Sequence, residues 1–569
     1  MSAQPLSGAH LVCAALRHAG VDCVFGLPGT QTVNLYEALR TSSLRSIVAT
    51  HELSAAMMAN GYYRSSGRVA ALLTIPGPGF TWALTGLAEA ALDSAALLHI
   101  TTQPPQVLGR RFQLQALDQG AIAAALTKTR HQIDHADEVA SVLAIAHAQA
   151  GAGEPGPVLV QVAREALRES APMPATTPAP QASASVDAVV IDQVMATLAQ
   201  ARRCVLLLGQ GCAGAAEPAT RLAETLSAAV VTTTSGRGVV AEDHPLSLGF
   251  ELGGNECATL NALIEASDLV LAIGCKFSHN GSRGFELKIA QDKLIQVDAA
   301  AEVLGANYPA RQLVCADAHA FLSALMARLD DGVGHGGFSA DQIARWRARA
   351  RAESQRHRVE PRIHGVPSGQ PQAFFDALRR VLPRHACLVT DSGQHQGLAR
   401  HHFRVNCPRG LIVPTNLQSM GFGISAAIGA CLADPTRPVV ALIGDGGLAM
   451  SGLELLTAVR ERLRLTVIVF VDGAYGLIRM QQLATSGHVY DTEFSGPDLA
   501  SFAMSIGAAH VRLDGDADAT LSGAIAAPGV TLVEVRVGDT VPMHWLRTKS
   551  VARGLLGSRW RAWLRRRRG

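Results

Sequence analysis

The chain has little charge and few aromatic residues. Asp, Glu, Lys and Arg make up 17% of its 569 residues and Phe, Trp and Tyr 5%, while hydrophobic residues reach 48%. That composition excludes a disordered or fibrous chain and fits a large globular α/β protein. Paired cysteines are missing as well. The ten cysteines (13, 23, 204, 212, 257, 275, 315, 387, 407, 431) are scattered with no C-x-x-C spacing, which argues against a zinc or dithiol site. They read as small buried hydrophobes in a reducing compartment. No window of about 18 uncharged apolar residues is present, so no membrane span is expected. The opening MSAQPLSGAH lacks the basic and apolar runs of a secretory signal. Net charge is only +3, and much of the excess sits in Arg553, Arg559, Arg561 and Arg565 to Arg568. The body is near neutral, so nucleic acid is not expected as a partner. The expectation is a soluble, cytoplasmic protein.

What is present is a threefold alternation of short apolar, β-branched runs with helical patterns, the mark of parallel α/β sheets. In the first segment the strand-like runs are Val24–Phe25, Ser46–Ala49, Ala70–Ile75 and Leu97–Thr101. In the second they are Cys204–Leu208, Val230–Thr233, Leu269–Ile273 and Leu294–Val297. In the third they are Cys387–Thr390, Leu411–Val413, Val439–Ile443, Leu465–Val471 and Thr531–Val537. The predicted organisation is a domain over 1–170, a Pro/Ala/Ser/Thr-rich linker over 171–189 and a central α/β domain over 190–330. An Arg-rich, partly helical linker over 331–365, a third domain over 366–545 and a basic tail over 546–569 complete it. The fold class is α/β with three doubly wound parallel-sheet, Rossmann-like domains.

The chemistry concentrates in VVALIGDGGLAMSGLELLTAVRERLRLTVIVFVDGAYG (439–476). An apolar strand runs into Gly444-Asp445-Gly446-Gly447. A helix is expected next, with Leu453, Leu456, Val459 and Leu463 at helical spacing. A second buried strand then ends at Val471-Asp472. Asp445 and Asp472 thus leave the carboxyl ends of two parallel strands, where ligands of open α/β sheets bind. The glycines allow close approach of a phosphate, and the helix start offers free N–H groups. Two carboxylates beside phosphates call for a hard divalent cation, and Mg²⁺ held by carboxylate and phosphate oxygens fits. The alternative for an isolated G-D-G is a plain turn with a solvated Asp. The second Asp, 472 − 445 = 27 positions on, weighs against it.

This stretch resembles the motif of thiamine-diphosphate-dependent enzymes, a G-D-G followed after about 25 residues by an Asn pair. Here the pair is Val471-Asp472, with Asp where most of the family has Asn and catabolic acetolactate synthases have Asp. Other segments follow in family order: VFGLPGTQTVNLYEAL (24–39), ATHELSAAMMANGYYRSSG (49–67), IPGPG (75–79), SGQHQ (392–396) and LQSMGFGISAAIGA (417–430). LQALDQGAIAAALTK (114–128), anchored by Asp118 and Lys128, is similar to the acetolactate synthase pattern F-Q-E-x-D-x-x-G-I-x-x-x-x-T-K. Leu114 stands for Phe and Ala116 for Glu. The resemblance spans nearly the whole chain to about residue 545.

It implies that thiamine diphosphate and Mg²⁺ are the cofactors, with Asp445, Asp472 and the Ala474 carbonyl as metal ligands. Glu52 would hydrogen-bond N1′ of the aminopyrimidine, and Gln115 would meet the substrate. Pro28 and Gly29 would lie along the cofactor. Met420 would prop its bent form, the backbone at Gln418 would meet the pyrimidine, Gly393, Gln394 and His395 would meet the diphosphate, and Gly446, Gly447 and Tyr475 would also bind the cofactor. The expected reaction is decarboxylation of a 2-oxo acid with ligation to a second carbonyl, as acetolactate synthases perform. A non-ligating decarboxylase is the alternative, and a silent nucleotide-binding protein a weaker one. Since Glu52 and Asp445 lie in different domains, which in this family come from different subunits, a homodimer or homotetramer is expected.

Two features pull elsewhere. LLLGQGCAG (206–214) contains G-x-G-x-x-G after a strand, but the next strand, AVVTTTS (229–235), ends without the acid that would hold a ribose. FAD is possible there but not favoured, because KFSHNGSRG (276–284) matches the flavin-binding element of relatives poorly. The tail SVARGLLGSRWRAWLRRRRG (550–569) reads as a solvated or site-covering C-terminus rather than a membrane-surface helix.

Overall fold

The computed structural model describes residues 5–104, 107, 110–173, 186–249, 258–329, 337–355 and 360–538. The basic tail and most of the first linker lie outside them. Among the described residues are three six-stranded sheets, each parallel throughout. The first holds, in chain order, Cys23–Gly26, Arg45–Val48, Ala70–Thr74, Leu97–Gln103, Thr129–Ile133 and Pro157–Ala163. The third holds Cys387–Thr390, Leu411–Ile412, Val439–Gly444, Leu465–Val471, Ala509–Arg512 and Val530–Arg536. Counting strands along the chain, both have the spatial order 2-1-3-4-6-5. The middle sheet (Cys204–Leu208, Ala229–Thr232, Ser247–Gly249, Leu269–Ile273, Leu294–Asp298, Gln312–Cys315) has the order 3-2-1-4-5-6, that of dinucleotide-binding folds. The chain thus carries two copies of one topology around a third sheet of another.

The central strands form because their residues are apolar on both faces and largely β-branched, as a sheet covered on both sides demands. Leu465–Val471 reads LTVIVFV and is buried along nearly its whole length. Several helices begin where a side chain caps them. Asp317 accepts from the Ala320 N–H, Asp498 from Ser501 and Asp516 from Ala519. The edge strands Thr129–Ile133, Ser247–Gly249, Gln312–Cys315 and Ala509–Arg512 went unread in the sequence. With one flank open, sequences such as TRHQI and AHVR have no need of an apolar run. Pro157–Ala163 is an interior strand that also escaped notice.

The first and third sheets share one hydrophobic core, running from Phe25, Ile47 and Leu72 to Val389, Ile443 and Val467. Two equivalent helices, each following the second strand of its sheet, cross in it. They are Glu52–Ser66 and Phe422–Ala433, the latter buried at every position. Their backbones touch. A Cβ on Gly61 would stand 2.1 Å from the Ala426 carbonyl oxygen, and one on Gly429 2.0 Å from that of Met58. Only glycine fits at either position.

The helix expected after Asp445 is broken. Helical turns Asp445–Ser451 and Leu455–Arg460 flank a 3₁₀ turn, Gly452–Glu454. Leu453 is 63% and Leu456 41% exposed, while Leu463 is buried beyond the helical stretch. The break turns the expected inner stripe outward. Of the cysteines described, Cys315 is exposed and Cys407 half-buried, and the other seven are buried. No helix among the described residues is long and apolar enough to cross a membrane.

Gly61→Ala or Gly429→Ala is expected to destabilise by several kcal/mol, since a carbonyl in a packed helix pair cannot yield. Gly523→Ala, on a helix with nothing within 4 Å of a Cβ, should stabilise by about 0.5–1 kcal/mol. Thermal unfolding of the three variants tests the contrast; equal midpoints would refute it.

Candidate functional site

Two clusters form at carboxyl ends of strands in the two equivalent sheets. In the third sheet, Asp445 follows Val439–Gly444 and Asp472 follows the neighbouring Leu465–Val471. The Asp445 carboxylate accepts hydrogen bonds from the N–H groups of Gly473 (2.8 Å), Gly446 (2.9 Å) and Asp472 (3.2 Å), so it ties the two strand ends together. Burial raises Asp445 above the usual carboxylate range. Burial and then the Asp445 charge push Asp472 up to about 6. Two acids forced together in this way favour a cation between them.

These acids line a cavity of about 130 Å³ with Gly393, Gln394, His395, Met420, Gly446, Gly447, Ala474 and Tyr475. The sequence reading is thus gathered into one place for ten of its residues. Gln418 lies outside the lining, two positions before Met420, in the left-handed region at φ 62°. The glycines are required here. A Cβ on Gly446 would meet the Tyr475 ring at 2.9 Å, and one on Gly447 the Asp391 carboxylate at 2.3 Å.

In the first sheet, Glu52 opens its helix behind His51, whose side chain accepts from the Leu53 N–H. Glu52 is 5% exposed, and its Oε1 lies 2.9 Å from where a Cβ on Gly79 would be. Gly29 packs on Ile75, which also adjoins Gly79, and Gln115 packs on Gly77. Pro28 beside them is exposed. Pro28, Gly29, Glu52 and Gln115 thus form a second group, and none of them lines the cavity of Asp445.

Three family models match in succession: Thiamine pyrophosphate enzyme, N-terminal TPP binding domain over 6–122, central domain over 191–325 and C-terminal TPP binding domain over 391–535. The acetolactate synthase isozyme 1 large subunit of Escherichia coli (strain K12) is 30% identical over 539 residues, covering 93% of this chain and 94% of that one. A probable 2-ketoarginine decarboxylase of Pseudomonas aeruginosa is 31% identical over 543 residues, with the same coverage. A probable acetolactate synthase large subunit of Methanocaldococcus jannaschii is 30% identical over 519 residues, covering 88% and 86%.

The chain belongs to the thiamine pyrophosphate enzyme family.

Two of the matched models are TPP-binding domains, which indicates thiamine diphosphate as the cofactor of this family member. The residues present fit that group. His395 Nε2 and Glu52 Oε2 are buried without a hydrogen-bond partner, a cost that a ligand would offset. Burial pushes the His395 imidazole down to about 4, so it is neutral at ordinary pH. The two TPP-binding domains are those with the shared 2-1-3-4-6-5 order. A larger cavity, of about 290 Å³, lies where the central one, with the dinucleotide order, meets the other two, lined by Gln210, Gly274 and Lys276 with Asp93, Glu154 and Thr415. The first two glycines of the central domain's G-x-G-x-x-G serve packing, while a Cβ on Gly214 would meet nothing within 4 Å. A Cβ on Gly209 would stand 1.9 Å from the Gly274 carbonyl oxygen, and one on Gly211 2.8 Å from the Gly274 Cα.

Sequence reasoning missed three buried acids of this family member: Asp391, Glu89 and Asp93. Asp391 had a signal, since it directly precedes SGQHQ at the end of Cys387–Thr390. Glu89 and Asp93 had none, lying in the last turn and at the C-terminal end of a helix in an apolar stretch. Burial, then the charge of Asp93, push Glu89 up to about 7 from an ordinary 4.5, with the Arg64 guanidinium opposing. A carboxyl raised by folding gives its full stability below about 4.5, and that stability is lost as pH rises through about 7. The unfolding midpoint of the protein is therefore expected to fall from pH 5 to 8, and to fall less in Glu89→Gln. Calorimetry across that range decides, and parallel profiles would disprove the assignment.

Proposed function

We propose that the protein is a thiamine-diphosphate- and Mg²⁺-dependent enzyme that decarboxylates a 2-oxo acid and joins the remaining fragment to a second carbonyl compound. The observation that carries this reading is the division of labour between the equivalent sheets. One presents paired acids over a glycine cradle, and the other presents a buried glutamate with a free oxygen. Asp445 and Asp472, with the Ala474 carbonyl, would hold Mg²⁺ against the diphosphate, and Gly393, Gln394, His395, Gly446, Gly447 and Tyr475 would enclose it. Magnesium bound by one or two carboxylates plus phosphate oxygens suits a donor set that, among the described residues, forms no group of three metal-binding side chains.

When bound, thiamine diphosphate supplies the electron sink for decarboxylation. The chain's residues supply orientation and proton control. Met420 and the backbone at Gln418 fix the shape of the bound group. Glu52 holds a proton at the heterocycle's ring nitrogen. Gln115, on the φ 57° turn beside Gly77, offers its amide to the substrate. The exposed apolar chains beside it, Phe112 at 96% and Leu114 at 77%, border the substrate approach.

Because Glu52 does not line the cavity of Asp445 in one chain, the reading takes it from a second copy, in a homodimer or a tetramer built from such dimers. Exposed large apolar side chains flank both groups, Trp82, Phe112 and Leu114 near Glu52, and Met450 and Leu453 after Asp445. Such patches mark interfaces. A second reading is a decarboxylase that releases an aldehyde, favoured by the likeness to the probable 2-ketoarginine decarboxylase. Mg²⁺, the site roles, a cytoplasmic location and the domain limits at 171–189 and 331–365 belong to this proposal.

Pyruvate and larger 2-oxo acids supplied with thiamine diphosphate and Mg²⁺ should give a ligated 2-hydroxy ketone product, identified by mass spectrometry. Aldehyde alone would move the assignment to the second reading. Glu52→Gln and Asp445→Ala chains should each be inactive alone, yet regain activity when refolded together, because one site of the mixed dimer is then intact. Inactivity of the mixture would refute the shared site.

A further inference from the structure

The cofactor-facing segment Val413–Gly421, which joins the strand Leu411–Ile412 to the helix Phe422–Ala433, has no regular structure to satisfy its backbone. Side chains from all three domains do so instead. Asp93, 2% exposed, accepts from the N–H of Thr415 (2.8 Å), the N–H of Asn416 (3.1 Å) and the Asn416 side-chain amide (3.0 Å). Glu89, fully buried one helical turn earlier, accepts from the Ser419 N–H at 3.0 Å. Arg64 donates to Asp93 (3.1 Å) and to the Val413 carbonyl (2.7 Å). From the third domain, Asp391 accepts from the Gly421 N–H (3.0 Å), and Gln396 donates to the Pro414 carbonyl (2.9 Å). From the middle domain, Asn280 donates to the Thr415 carbonyl. Asp93 thus spends both oxygens on the segment and Glu89 spends one, and charged acceptors make the stronger hydrogen bonds.

We propose that Glu89, Asp93 and Asp391 are positioning residues, which grip this segment so that Gln418 and Met420 are preset for the cofactor before it arrives. The proposal rests on the cofactor reading above. Glu89 and Asp93 belong to the first domain of the same chain, the domain that offers Glu52 to a second copy. Each first domain therefore braces one cofactor site and completes another, which couples the two sites of a dimer mechanically. Preorganisation of this kind lowers the ordering cost of binding. Loosening the grip should weaken binding and lower kcat while leaving KM for the 2-oxo acid little changed.

Calorimetric titration of thiamine diphosphate in saturating Mg²⁺, on the full chain, tests this. At pH 8, where the Glu89 carboxyl is ionised, Glu89→Ala should bind about ten- to a hundredfold more weakly, the loss expected on removing a charged hydrogen bond, with an altered near-ultraviolet circular dichroism of the bound cofactor. Glu89→Gln keeps an oxygen for the Ser419 N–H and should recover most of the affinity. If Glu89→Ala does not fold, Asn416→Ala, on the exposed side of the same grip, should still weaken binding about threefold or more, the worth of one neutral hydrogen bond. Wild-type affinity and dichroism in the Ala variants would overturn the proposal. Failure of the wild-type chain to bind thiamine diphosphate would overturn the cofactor reading itself.

Discussion

The contact on which the arrangement depends is between two backbones. Gly61 and Gly429 bring the helices Glu52–Ser66 and Phe422–Ala433 so close that neither position tolerates a Cβ. Each helix follows the second strand of its sheet, so the pair fuses the first and third sheets through equivalent elements and gives them one core. The fusion also fixes the ligand-facing strand ends, because Glu52 opens one helix and the segment bearing Met420 leads into the other. A substitution at this crossing would disturb both groups of side chains without touching either.

Chemistry at the site follows from desolvation. Asp445 and Asp472 are held side by side and partly out of water, and Asp472 is pushed up to about 6 as a result. Such a pair is a poor structural element by itself and a good cation site. Asp391 and Asp93 are buried too, and their oxygens are met by backbone N–H groups or by Arg64.

Much of this was legible along the chain. The central strands of all three sheets are apolar on both faces, so Cys204–Leu208, Leu269–Ile273, Cys387–Thr390 and Leu465–Val471 appear in the structure with the limits read from the sequence. The strand ends carrying Asp445 and Asp472 followed from the same pattern. Edge strands were largely illegible, because a strand with an open flank carries no apolar run. Leu453 and Leu456 misled for the converse reason: their spacing is helical, yet the local break leaves them outside.

The sequence by itself determined the parallel α/β class, the glycine-acid cluster of 444–447 with Asp472, and the resemblance that the family matches bear out. Those properties are local, written in strand composition and short spacing. Tertiary structure alone decided that the first and third sheets share a strand order, that Gly209 and Gly211 are consumed in packing against Gly274, and that Glu89 and Asp93 reach across more than 300 positions to grip Thr415, Asn416 and Ser419. It also decided that the group around Glu52 stands apart from the cavity of Asp445 within one chain. No short-range pattern encodes these, because each depends on which distant backbone a buried side chain meets once the cores have closed.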